Sequence, residues 1–123
     1  MRCTSEMQAE HENVLLVDAG DAIQGTSIGS ISEGEYIISM MNKVGYDAAT
    51  LGNHEFDYSV SVLQKRAAEL ECGYICCNFY DKGTGQTLFD PYKLIRLRRY
   101  ADSLCWCVNS RNVFKIDSRV FPE

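Results

Sequence analysis

The chain has 123 residues, 46% of them apolar and 24% charged, which is enough for one buried core and too little for two domains. Its net charge of −5 at pH 7 argues against a general nucleic-acid binder, whose surface is normally basic. No apolar run approaches the roughly 18 residues that span a bilayer, and the polar start MRCTSEMQAEHEN lacks the apolar core of a secretory signal.

In chain order, residues 13–18 (NVLLVD) form a short apolar run ending in an acid, the pattern of a strand buried on both faces of a parallel sheet. AGDAIQGTSIGS follows, glycine-rich, and reads as a loop. Ser32 and Glu35 have capping-box spacing, which marks a helix start. Ile37, Ile38, Met41 and Val44 recur at helical spacing, and Gly45 stands where the helix should stop. YDAATLG reads as a second strand, with NHEFD directly after it. Val60, Leu63, Ala67 and Leu70 predict a second amphipathic helix, to about Glu71. GYICCN reads as a third strand, DKGTGQ as a turn, and YKLIRL as a fourth strand, antiparallel. The local basic run Arg96, Arg98 and Arg99 reads as a solvated face.

The order β-α-β-α-β implies an α/β fold with a mostly parallel sheet and helices packed on it. Ligands of such sheets gather beyond the carboxyl ends of the strands. Two polar clusters, GD at 20–21 and GNHEFD at 52–57, each follow a strand, so their loops can converge on one site.

Six cysteines stand at 3, 72, 76, 77, 105 and 107, without a C-x-x-C pair. The ligand spacing of a structural zinc site is absent, so buried free thiols are expected at 72, 76 and 77. His11, on the polar N-terminal segment, is expected on the surface.

Carboxylate and amide oxygens suit hard or borderline divalent cations, and imidazole binds metal or moves protons. Gly20 before Asp21 and Gly52 before Asn53 let the backbone turn sharply toward such a site. Singly, an Asp in a loop is an ordinary cap or turn residue, and a lone His is an ordinary hydrogen-bonded loop group. Asp57 also stands where it can cap the following helix, and Asp18 reads as a strand-end turn former.

Taken together, VDAGDAIQGT and YDAATLGNHEFDY resemble the calcineurin-like metallophosphoesterases, whose motifs run D-x-H, G-D and G-N-H-[DE]. The longer match is similar to the 5′-nucleotidase branch, which includes UDP-sugar hydrolases and cyclic-nucleotide phosphodiesterases. The resemblance covers about residues 13–97. It implies a partial αββα sandwich and a hydrolase of nucleotides or other phosphate esters that uses two divalent ions (zinc, manganese or similar) and a metal-activated water. It implies Asp21 bridging the two metals, Asn53 on one of them, and His54 over the phosphoryl oxygens with Asp57 as its dyad partner. Gly20, Gly52 and Glu55 would be supporting motif residues, and no substrate-binding residue is assigned. Family members are commonly periplasmic, secreted or surface-bound.

The first family motif, D-x-H-G, has no counterpart here, and nothing after Asp57 contains a histidine. Of roughly seven protein ligands in a two-metal site of this family, only Asp21 and Asn53 are present. Ser59 stands where relatives often have glycine. After YKLIRL the family continues as F-V-G-V-S-T-P-E-T-F, whereas this chain reads RRYADSLCWCVNSRNVFKIDSRVFPE. Trp106 has a single codon, TGG; read one base later and followed by Cys107, it gives glycine. With permitted codons the same frame yields the family sequence. The expected organisation is a partial domain at 1–97, lacking its first strand, and a frameshifted tail at 98–123 that packs poorly. The isolated chain is expected to be marginally stable, with an incomplete metal site. A non-catalytic remnant or binding module is the alternative to an enzyme, and a cysteine-based protein a weaker third reading.

Overall fold

The structure is a computed structural model that describes residues 2–11, 14–97, 100–105 and 115–119. The chain opens with helix α1, Arg2–Glu10, and then runs extended through 14–18. Helices α2, Ser27–Ile31, and α3, Glu35–Val44, lead to strand β1, Ala49–Thr50. A short 3-10 turn, His54–Phe56, and helix α4, Val60–Glu69, lead to strand β2, Tyr74–Ile75. Strands β3, Tyr92–Leu97, β4, Tyr100–Cys105, and β5, Lys115–Arg119, complete the described elements.

β1 and β2 pair parallel, Ala49 with Tyr74 and Thr50 with Ile75. The 14–18 segment joins the same side through a parallel bridge between Val17 and Ala48. Two helical crossovers therefore connect three parallel segments, as the sequence order requires. Past β2, the Asp90 carbonyl accepts the Cys76 N–H at 2.8 Å, and β3 then pairs antiparallel with β4, which pairs antiparallel with β5. β3 is antiparallel as expected, but in a separate three-stranded sheet.

The core lies between the parallel strands and helices α3 and α4. Leu51, Leu63, Ile38 and Ile23 are fully buried, each contributing about 1.5–3 kcal/mol by leaving water. The segment 14–18 differs from expectation: its residues are half-buried rather than covered on both faces.

Local chemistry explains the helix boundaries. Gly45 ends α3 at φ +79, donating its N–H to the Met41 carbonyl. The expected capping box does not form. Gly34, at φ +82, is the α3 N-cap, while the Ser32 hydroxyl donates to the Ile28 carbonyl of α2 and accepts the Tyr36 N–H of α3 at 3.3 Å. α2 lies inside the stretch read as a loop, and its cap is Thr26, whose Oγ1 accepts the Gly29 N–H. Arg66, buried on α4, donates to the Ser32 and Glu33 carbonyls and pairs with Glu35 and Glu69, which satisfies an otherwise costly buried charge. From β3, the Lys93 ammonium donates to the carbonyls of Asp47 and Cys72, both at 2.7 Å.

Cys72 and Cys76 are free thiols, half-buried and buried, but Cys77 is disulfide-bonded, against the expectation. His11 is exposed. Arg98, Arg99, Trp106 and Cys107 lie outside the described residues. Among the described residues no helix is long and apolar enough to cross a membrane.

Candidate functional site

Both polar clusters sit just past the carboxyl ends of parallel segments, and two glycines let them touch. Gly20 has φ +92, and a Cβ there would lie 2.9 Å from the Gly52 Cα. A Cβ on Gly52 would fall within the Asp21 carboxylate. Neither position therefore admits a side chain without separating the loops.

Asp21 is exposed and held at φ +62, a left-handed conformation that residues other than glycine seldom adopt. Its Oδ1 accepts the His54 backbone N–H at 2.9 Å, across the two loops. Asn53, also exposed, precedes the 3-10 turn. Glu55 points the other way and is fully buried. Its carboxylate accepts three backbone N–H groups: Asp21 at 2.8 Å and Gly52 at 2.7 Å on Oε2, and Ala22 at 2.7 Å on Oε1.

His54 Nδ1 lies 2.8 Å from Asp57 Oδ2 on the surface. The hydrogen bond to Asp57 raises the imidazole pKa above its ordinary value of 6.5. That pairing occupies Nδ1 and leaves Nε2 for a ligand. Asp57 does not cap α4, which begins at Val60. The cap is Ser59, whose Oγ accepts the Val62 N–H at 3.3 Å. Ser59 adopts φ +103, a backbone conformation that favours glycine.

Asp18 turns the chain: its Oδ2 accepts the Gly20 N–H at 3.0 Å, and burial raises its pKa. Sequence reasoning missed Thr50, a buried residue whose hydroxyl donates to the Asp18 carbonyl at 3.1 Å and ties the two strand ends together. Its signal was a polar residue in the otherwise apolar run AATL. Deeper in the core, the Tyr58 and Tyr74 hydroxyls are buried without a hydrogen-bond partner.

The structure thus brings Gly20, Asp21, Gly52, Asn53, His54, Glu55 and Asp57 into one cluster. A carboxylate and an amide at adjoining loop ends have the donor chemistry of a hard divalent cation site. Among the described residues, however, no group of three or more His, Cys, Asp or Glu side chains is arranged to hold a metal. Asp21 and Asn53 fit as part of such a site, not as all of it.

No family model matches the chain. Over 89 residues it is 42% identical to a 5'-nucleotidase of Vibrio parahaemolyticus, a match that spans 72% of this chain and 16% of that protein. Among solved structures, the calcineurin-like phosphoesterase YfkN of Bacillus subtilis superposes with a TM-score of 0.68 at 27% identity, covering 95% of this chain and 35% of that one. The NAD nucleotidase of Haemophilus influenzae gives 0.76 at 25% identity, covering 89% of this chain and 20% of that one. The chain therefore spans only a small part of the length of the relatives it matches. By these shared residues and this shared fold, the chain belongs to the 5'-nucleotidase branch of the calcineurin-like metallophosphoesterases, a family that implies divalent metals.

Proposed function

We propose that this cluster is one side of a nucleotide phosphohydrolase site, with Asp21 and Asn53 as metal ligands and the His54–Asp57 dyad as its proton-bearing arm. The observation that carries the reading is the Asp21–His54 hydrogen bond between two loops whose glycines allow backbone contact. Bound divalent ions, zinc, manganese or similar as the family resemblance implies, would supply Lewis acidity toward phosphate and water.

The chain's own residues supply the rest. Asp57 keeps His54 protonated to higher pH and fixes which ring nitrogen faces outward. Nε2–H is then available to donate to a phosphoryl oxygen or to the departing ester oxygen. The substrate class, nucleoside monophosphates, comes from the relatives. The test is hydrolysis of a nucleoside monophosphate with added manganese or zinc by the chain, Asp21→Ala and His54→Ala. A rate that falls in both variants supports the proposal, and equal rates in all three remove it.

The two-donor set favours one other reading, a non-catalytic remnant or binding module. That reading expects no turnover, with Mn2+ or nucleotide binding at most. The proposal extends to the chain's organisation, with the domain at 1–97 and an out-of-frame tail at 98–123. Resequencing the reading frame tests it: a downstream frame encoding F-V-G-V-S-T-P-E-T supports the division, and a clean frame without it does not.

A further inference from the structure

A carboxylate is seldom fully buried without a cationic partner. Glu55 is fully buried, and its hydrogen bonds run to backbone N–H groups of two different loops. The Asp21 and Ala22 N–H groups flank the Asp21 side chain, so together they fix the peptide geometry that gives φ +62. The Gly52 N–H belongs to the residue before Asn53 and shares Oε2 with Asp21. A single oxygen therefore couples the backbone of one candidate ligand to that of the residue preceding the other.

We propose that Glu55 is a positioning residue: by holding the backbone of Asp21 and of Gly52, the residue before Asn53, on one carboxylate, it sets the affinity of these two candidate ligands for a divalent cation without touching it. The inference rests on the metal-ligand reading of Asp21 and Asn53. With one carboxylate oxygen replaced by an amide NH2, at least one N–H loses its acceptor. The Asp21 peptide is then released toward ordinary negative φ, which carries its carboxylate away from the His54 N–H. Groups that only orient metal ligands typically change metal affinity about 10–100-fold when removed.

The experiment uses the full chain with Mn2+ as the probe, read by paramagnetic broadening of backbone amides in a two-dimensional NMR titration beside a thermal melt. In the wild type, amides around Asp21 and Asn53 broaden at one common midpoint. In folded Glu55→Gln that midpoint rises about 10–100-fold, while Glu71→Gln, an exposed change of the same charge, leaves it in place. A folded Glu55→Gln with the wild-type midpoint overturns the proposal. If Glu55→Gln does not fold, the wild type decides. The amides of Asp21, Ala22 and Gly52 must then share one protection factor, all raised together by Mg2+, and unequal protection factors overturn the lock. Absence of Mn2+ broadening in the wild type would overturn the metal reading and the affinity claim, while the exchange rates would still report separately on the lock.

Discussion

Ser59→Gly should stabilise the protein. Ser59 stands at φ +103 and ψ 158, a region occupied almost only by glycine. Holding another residue there costs about 1–3 kcal/mol. Two terms oppose the gain. The Ser59 hydroxyl caps α4 through Val62, but a Ser-to-Gly change at an N-cap loses only about a few tenths of a kcal/mol. Glycine's added freedom in the unfolded chain costs about 0.4–1 kcal/mol. The net expectation is a gain of about 1 kcal/mol, or about 4 °C in Tm for a domain of this size. Ser59→Ala supplies the opposite sign, since it keeps the strained backbone and loses the cap, at a cost of about 1 kcal/mol. Urea unfolding followed by circular dichroism, at unchanged m, measures both. A Ser59→Gly midpoint at or below that of the wild type would refute the strain argument.

Gly20→Ala should cost at least about 2 kcal/mol in the same assay, because overpacking adds to the unfavourable φ. Gly73→Ala, also at positive φ but facing open space, bounds the conformational part alone. Asp57→Asn should lower the His54 titration midpoint, read by NMR of the imidazole protons. Because the folded pKa is raised above 6.5, the stability this pair contributes is fully present below that pH and fades as pH rises through the folded value. An unchanged midpoint would mean that Asp57 is not the cause. Tyr74→Phe removes a buried hydroxyl without a partner and should be neutral or stabilising by up to about 1 kcal/mol. A loss larger than that on urea unfolding would show that the hydroxyl is satisfied.

The site was more legible in the sequence than the elements that carry it. GD and GNHEFD name their residues directly, because their glycines and polar side chains are dictated by close approach and by chemistry. What the motif could not show is direction: Glu55 and His54 are neighbours, yet one is sealed in the core and the other faces water. That difference comes from a short 3-10 turn, which has no hydrophobic period to read. Helices α3 and α4 were placed well by the spacing of Ile38, Met41, Leu63 and Leu70, whereas α1 and α2 were not read as helices. The α3 cap was legible only in part: Ser32 Oγ does accept the Tyr36 N–H of α3, but its hydroxyl donates to the end of α2 and Gly34 is the N-cap. The run at 13–18 looks like an interior strand, but how much of it is covered depends on pairing across the sheet, which no local pattern encodes.

Lys93 bears on how long the native state lasts. It reaches back across 46 and 21 positions to carbonyls that each stand two residues before a parallel strand. Both helical crossovers must be in place before it can engage, so its contacts close late in folding. A contact formed after the rate-limiting step slows escape from the native state without hastening arrival. Lys93→Met, which gives up about 2 kcal/mol of charged hydrogen bonding, should therefore unfold about 30-fold faster and refold at the wild-type rate. Slower refolding at the wild-type unfolding rate would place the fastening early instead. Part of the lifetime of the fold is thus set from the end of the sheet opposite the site.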